Sequence, residues 1–196
     1  GYQALRSNTT GTRNTGMGTL AMATGTIAND VTAVGYNALN LNTGNNNTAV
    51  GSTALDTNST GTNNTAVGYA ALTANTTASD NTAYGYHSLF SSTIGSENTA
   101  SGAYSLRSNT TGTGNTASGA RSLFSNAGGG QNTAFGAYSL NGNTAYDNTA
   151  VGYNTLSANT TGTRNTGVGT SAMITSITAN DVTAVGYNAL NLNTGS

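Results

Sequence analysis

The chemistry available to this chain is sparse, and most of it falls on one spacing. Its 196 residues hold six carboxylates, five arginines and one histidine, with no Lys, Cys, Pro or Trp. Five of the carboxylates, Asp30, Asp80, Glu97, Asp147 and Asp181, share one phase of a 16- or 17-residue repeat; only Asp56 stands elsewhere. If repeats stack, Asp80 and Glu97 become neighbours. Two carboxylates are too few for Ca²⁺, which takes six to eight oxygen ligands, and the same phase also carries Arg13 and Arg164. The spacing points to a solvated corner where Asp caps backbone N–H groups, and no metal site is expected. His87 has no nucleophile or carboxylate pattern around it, so no triad can be assembled; it reads as a surface residue. The GTG and GGG stretches at 112–114 and 128–130 lack a following Lys and a strand–loop–helix setting, so they are not phosphate loops. No catalytic residue and no cofactor site is expected, and the chain does not read as an enzyme.

Composition excludes further classes. Five arginines and a net charge of −1 provide no basic track for a phosphate backbone, which excludes nucleic acid as a partner. No run is long and apolar enough to cross a membrane, and no signal peptide is visible. The chain begins and stops in mid-pattern, and it is expected to be an excerpt of a longer fibre.

The elements that must position these residues are repeats. A glycine recurs at 1, 18, 35, 51, 68, 85, 102, 119, 136, 152, 169 and 186, at gaps of 17 except for two of 16. Above this lies a longer period: residues 1–45 match 152–196 at 34 of 45 positions, offset by 151. The expected organisation is one tandem-repeat segment over 1–196, with long repeats at 1–151 and 152–196.

Counted from each glycine as zero, position −3 is always Thr, −2 is Ala or Gly, and +4 is Leu or Met. Asn fills −4 except at Val31 and Val182, and it dominates +7. Thr, Val, Gly and Asn at this density disfavour helix. A β-solenoid (β-roll) fits: an all-β stack of about twelve 17-residue coils, about 4.8 Å apart. Each column must then suit its own copies. Asn does so by donating its amide to one neighbouring coil and accepting from the other, Gly supplies φ > 0 at corners, and Leu at +4 fills a thin core. One Leu contributes about 2 kcal/mol on burial, whereas ordering the backbone costs about 1–2 kcal/mol per residue. Hydrogen-bond ladders between coils must therefore carry much of the stability.

Two residue types remain as candidate functional groups. N-x-[ST] sequons begin at Asn8, Asn58, Asn75, Asn109 and Asn159 in the +7 column, and at Asn46 and Asn63. A sugar at +7 requires that corner to point outward. Tyr recurs at +1, including Tyr36, Tyr69, Tyr86, Tyr153 and Tyr187. With the variable −1 column these form a semi-apolar stripe, read either as packing against a partner chain or filament or as an aromatic surface for glycans.

The words Asn47-Thr48-Ala49-Val50-Gly51 and Asn64-Thr65-Ala66-Val67-Gly68 resemble the N-S-V-A-I-G words in head repeats of trimeric autotransporter adhesins (YadA-like). Phage tail-fibre and other surface-fibre repeats carry similar words. The resemblance implies a β-roll, usually trimeric, that projects from a cell or virion surface and binds host matrix or glycans. This chain departs from it in a longer repeat with an added NTTGT loop (159–163), in Thr at −3 and in a variable −1.

The expected function is that of an extracellular structural fibre that self-associates as a filament or homotrimer, with a repetitive, glycosylated surface. The alternatives are an adhesin or tail-fibre module that binds glycans, and an ice-binding solenoid. The last needs a flat face of two Thr ranks, and the +8 rank is broken at Ala127 and Ile177.

Overall fold

A computed structural model describes residues 1–191. Residues 192–196, with Asn193 of the +7 column and the end of the second long repeat, lie outside the described residues. Eleven three-residue strands, from β1 (Thr15–Met17) to β11 (Thr183–Val185), form one parallel sheet in strict sequence order, and there is no helix among the described residues. Every strand occupies −3 to −1. Thr48 pairs with Thr65 and Thr65 with Thr82, and the same register holds along the whole sheet. The fold is the expected β-solenoid with a smaller coil count. Eleven strands bound ten turns, because Gly1 has no strand residues ahead of it in the sequence. The 16-residue turns keep the register, since Thr32 still pairs with Thr48 and Thr133 with Thr149. The missing residue comes out of the loop after +8, where Thr43 leads straight to Gly44.

Period-2 alternation in so short a strand sends −2 inward and the flanking residues outward. The −2 alanines are buried while −3 and −1 are half-buried or exposed. The +4 residues, from Met22 to Met173, form a single file of fully buried side chains down the axis. Alanine and serine at +3 and the Asn columns fill the rest of the interior.

The backbone path has a feature beyond the expected glycine corners. Three non-glycine positions per coil, +2, +4 and −5, adopt left-handed φ near +50 to +60°, for example Leu72 (53°), Ala70 (53°) and Asp80 (61°). This conformation costs about 1–2 kcal/mol per L-residue. It is held by coil-to-coil bonds: Leu72 N–H donates to the Ser88 carbonyl of the next coil, and Asp80 N–H to the Thr62 carbonyl of the preceding one. The anchor position combines a φ that L side chains rarely adopt with no room for a Cβ. Gly68 has φ +135°, and a Cβ there would meet the Gly85 carbonyl oxygen at 2.6 Å.

The Asn ladders follow the expected one-up, one-down pattern in the +7 column and in the −4 column from Asn81 to Asn132, and the −4 column adds bonds to the main chain of the following coil. The −4 Asn side chains all clamp the following coil, and from Asn98 to Asn132 they also donate to the preceding −4 Asn Oδ1, as Asn115 Nδ2 does to Asn98. Asn64 Nδ2 donates to the Ala78 carbonyl and its Oδ1 accepts the Asn81 N–H, both on the following coil. The −4 column is thus a row of clamps, interrupted where Val31 and Val182 stand. The +7 column is a true ladder, with Asn75 donating to Asn58 Oδ1 (2.6 Å) and Asn58 to Asn42 Oδ1. It breaks at Ser92, which leaves Asn75 Oδ1 buried without a partner, and again after Asn126 and Asn159, whose Oδ1 atoms are likewise unpartnered.

Candidate functional site

The interior is filled by side chains, so function must reside on the surface columns. The +7 sequons are the first group to place. Asn58, Asn75, Asn109 and Asn159 are fully buried, and their amides bond to main-chain carbonyls of their own corners. This corner points inward, so the folded coil offers none of the four to a sugar; the geometry corrects the expectation of N-glycans there. Asn8 is half-buried and donates to the Gly11 carbonyl in the same way. The sequon asparagines that face solvent are Asn46 and Asn63 at −5.

The −5 corner is exposed, and its charges are used between coils. Arg13 pairs with Asp30, and Arg164 with Asp181 through bonds of 2.6 and 2.7 Å. These hydrogen bonds hold both carboxyls below the usual carboxylate range, and the arginines rise correspondingly. Asp80 accepts from Asn63 Nδ2 at 3.0 Å. Corner ion pairs, rather than N–H caps, are what the acidic column supplies at its two Arg-bearing steps. Asp56, at +5, is pushed up by burial.

The Tyr candidates are all exposed: Tyr36, Tyr69, Tyr86, Tyr153 and Tyr187 retain between 45% and 77% of their surface. They do not form a continuous stripe. Only Tyr69 and Tyr86 occupy consecutive coils, where their rings stack at 5.5 Å with 13° between planes. Tyr153 is met edge-on by Tyr138 at 6.0 Å. Tyr36 and Tyr187 stand apart from this group, because Ser52 and Thr170 occupy the coils between.

What the geometry adds is a cluster on the adjoining +2 and +5 columns. At +5, Phe90, Arg107 and Phe124 follow one another, and the guanidinium of Arg107 lies 5.5 and 5.7 Å from the two rings. At +2, His87, Tyr104, Arg121 and Tyr138 follow one another, and Arg121 lies 5.7 and 6.0 Å from the two tyrosines and 5.6 Å from Phe124. His87 is not a free surface residue. It stacks on Tyr86 at 4.2 Å and on Phe90 at 4.6 Å, and its Nδ1 is buried without a partner. Burial, and then the nearby Arg107 charge, hold His87 below the usual imidazole value. Loss of water, with a smaller effect from Tyr104, raises the Tyr86 phenol. Coil stacking about 4.8 Å apart makes this cluster. Residues 17 apart become nearest neighbours, so aromatic and cationic side chains can alternate within a column. The signal was present as F-R-F at 90, 107 and 124 and as H-Y-R-Y at 87, 104, 121 and 138. The variable columns conceal it, since neither keeps one residue type for long.

No family model matches the chain, and no curated protein or solved structure does.

Proposed function

We propose that the chain is part of an extracellular structural fibre, a non-enzymatic β-solenoid shaft that spans distance and self-associates through its surface columns. The observation that supports this reading is one unchanging register over ten turns, combined with a second repeat of nine coils in the sequence. A catalytic domain varies its layers around a site, whereas a shaft repeats one layer. A rod built this way has an axial period of nine coils, about 43 Å at about 4.8 Å per coil. Electron microscopy of the full polypeptide should show a thin rod of uniform width whose power spectrum carries both spacings. Compact particles without either spacing would overturn the reading. An adhesin or tail-fibre module uses the same rod to present a binding surface, and it would be expected to show a defined glycan or matrix ligand.

A second reading, ice binding, is favoured by one observation. The −3 threonines form a rank of eleven in strict register on the sheet's outer face, and their hydroxyls engage no protein atom among the described residues. The +8 hydroxyls, by contrast, bond to carbonyls of the next coil, as Thr76 does to Thr93 and Thr110 to Ala127. The free rank is therefore −3 rather than +8. Thermal hysteresis that disappears on Thr65→Tyr and Thr149→Tyr would favour ice binding, and its absence in the unaltered protein would exclude it.

A further inference from the structure

We propose that the cluster around Arg107 and Arg121 is a binding site for a linear acidic polysaccharide, with the two guanidinium groups taking uronate carboxylates. The inference goes beyond the shaft reading, because a shaft needs no such cluster.

The first ground is charge. Of the five arginines, Arg13 and Arg164 are neutralised by Asp30 and Asp181. Arg107 and Arg121 have no carboxylate within ion-pair distance among the described residues, and Arg107 Nε is buried without an acceptor. Each guanidinium instead lies between aromatic rings. Rings flank each guanidinium on both sides, and its terminal N–H fork remains for a ligand. That fork matches a carboxylate bidentately.

The second ground is the orientation of the rings. Tyr69 on Tyr86 and His87 on Phe90 stack nearly parallel, which occupies those ring faces, while Tyr104 meets Tyr86 and Phe124 edge-on. Aromatic faces are the negative part of the quadrupole, so their occupation favours the same sign of ligand as the arginines. Nucleic acid is disfavoured, because bases need open ring faces and a longer track of cations.

The third ground is shape and hydroxyl content. Along the +2 column the cluster runs from His87 to Tyr138, three coil spacings or about 14 Å, along an open surface suited to an extended polymer. The residues next to the Phe90–Arg107–Phe124 column are Ser91, Ser108 and Ser125, all half-buried. Their hydroxyls bond to no protein atom among the described residues, whereas the +6 residues Thr24 and Thr57 bond to the next coil's carbonyls. Free hydroxyls beside guanidinium groups suit a polyhydroxylated acid better than an acidic peptide.

The test is binding of the full chain to polygalacturonate, measured by calorimetry and compared with dextran, polyglutamate and a single-stranded oligonucleotide. The expected result is binding to polygalacturonate that falls at least tenfold in Arg107→Gln/Arg121→Gln and is unchanged in Arg13→Gln/Arg164→Gln. Arg107→Lys, which keeps the charge and loses the planar fork, should also weaken it. Circular dichroism of each variant verifies that the solenoid is intact. No binding by the unaltered protein would overturn the proposal, as would equal loss in both double variants or tighter binding to dextran, polyglutamate or the oligonucleotide. Rod formation, read by microscopy, is unaffected by either outcome, so this proposal and the shaft reading fail separately.

Discussion

Replacing Asn115 by Ala should cost about 4 kcal/mol. Asn115 sits in the uninterrupted part of the −4 column and is fully buried. Its Nδ2 donates to the Gly129 carbonyl at 2.8 Å and to Asn98 Oδ1 at 3.1 Å; its Oδ1 accepts from Asn132 N–H and Asn132 Nδ2, both at 3.1 Å. On truncation, three of the partners keep another bond. Gly129 still accepts from Asn126, Asn132 Nδ2 still donates to the Ala145 carbonyl, and Asn98 Oδ1 still accepts the residue-115 N–H. The Asn132 N–H is left with no acceptor. A buried orphan costs about 1–3 kcal/mol, and each further lost bond between satisfied groups about 0.5–1.5, which gives the estimate. Urea unfolding followed by far-UV circular dichroism measures the total, and native-state hydrogen exchange of the Asn132 amide localises it. Gln131→Ala, on an exposed side chain of the neighbouring corner, should change stability by no more than about 0.5 kcal/mol. A cost below about 1 kcal/mol for Asn115→Ala, with the Asn132 amide still protected, would refute the claim that side-chain clamps hold the coils together.

Other perturbations follow from the same geometry. Ser92→Asn should raise stability by about 1–2 kcal/mol, measured by urea unfolding, because it supplies a donor to the orphaned Asn75 Oδ1 and joins two runs of the +7 ladder. Leu72→Ala removes a fully buried link of the axial file and should cost about 3–4 kcal/mol in the same assay. Gly68→Ala places a Cβ 2.6 Å from the Gly85 carbonyl at φ +135°; strain and overpacking together should cost about 4 kcal/mol, visible as a large drop in melting temperature. Burial, and then the Arg107 charge, hold His87 below its unfolded value. In the pH window between the two values the unfolded chain binds more protons, so stability should fall as pH drops below about 6.5. His87→Gln should flatten that dependence in melts taken from pH 7 to pH 5.

The columns legible in the sequence are those in which one residue type must suit its own copies. Thr at −3, Leu at +4 and Asn at −4 and +7 are nearly invariant along the chain, so period, strand register and core could be read directly. The left-handed backbone at +2 and −5 could not. Those positions hold Arg, Asp, Tyr, His and Ala in turn, and no composition marks a conformation imposed by main-chain bonds to neighbouring coils. The direction in which the +7 corner faces was equally hidden. An Asn-Thr-Thr word reads the same whether its amide is glycosylated or buried, and only stacking shows that Asn75 donates to Asn58. The +2 column places His87 with Tyr104, Arg121 and Tyr138 in sequence, but their contact with the +5 column does not show there, because Arg107 meets Phe90 and Phe124 only when coils 17 residues apart stack.

The most direct test of equal-phase stacking is a distance between two strand threonines several coils apart. Spin labels at Thr48→Cys and Thr149→Cys lie six strand steps apart along the sheet. Pulsed electron–electron resonance should give one narrow distribution centred near 29 Å, six spacings of about 4.8 Å, widened only by the label arms. A broad distribution, or a sharp one far from that value, would contradict the stack on which every other conclusion depends.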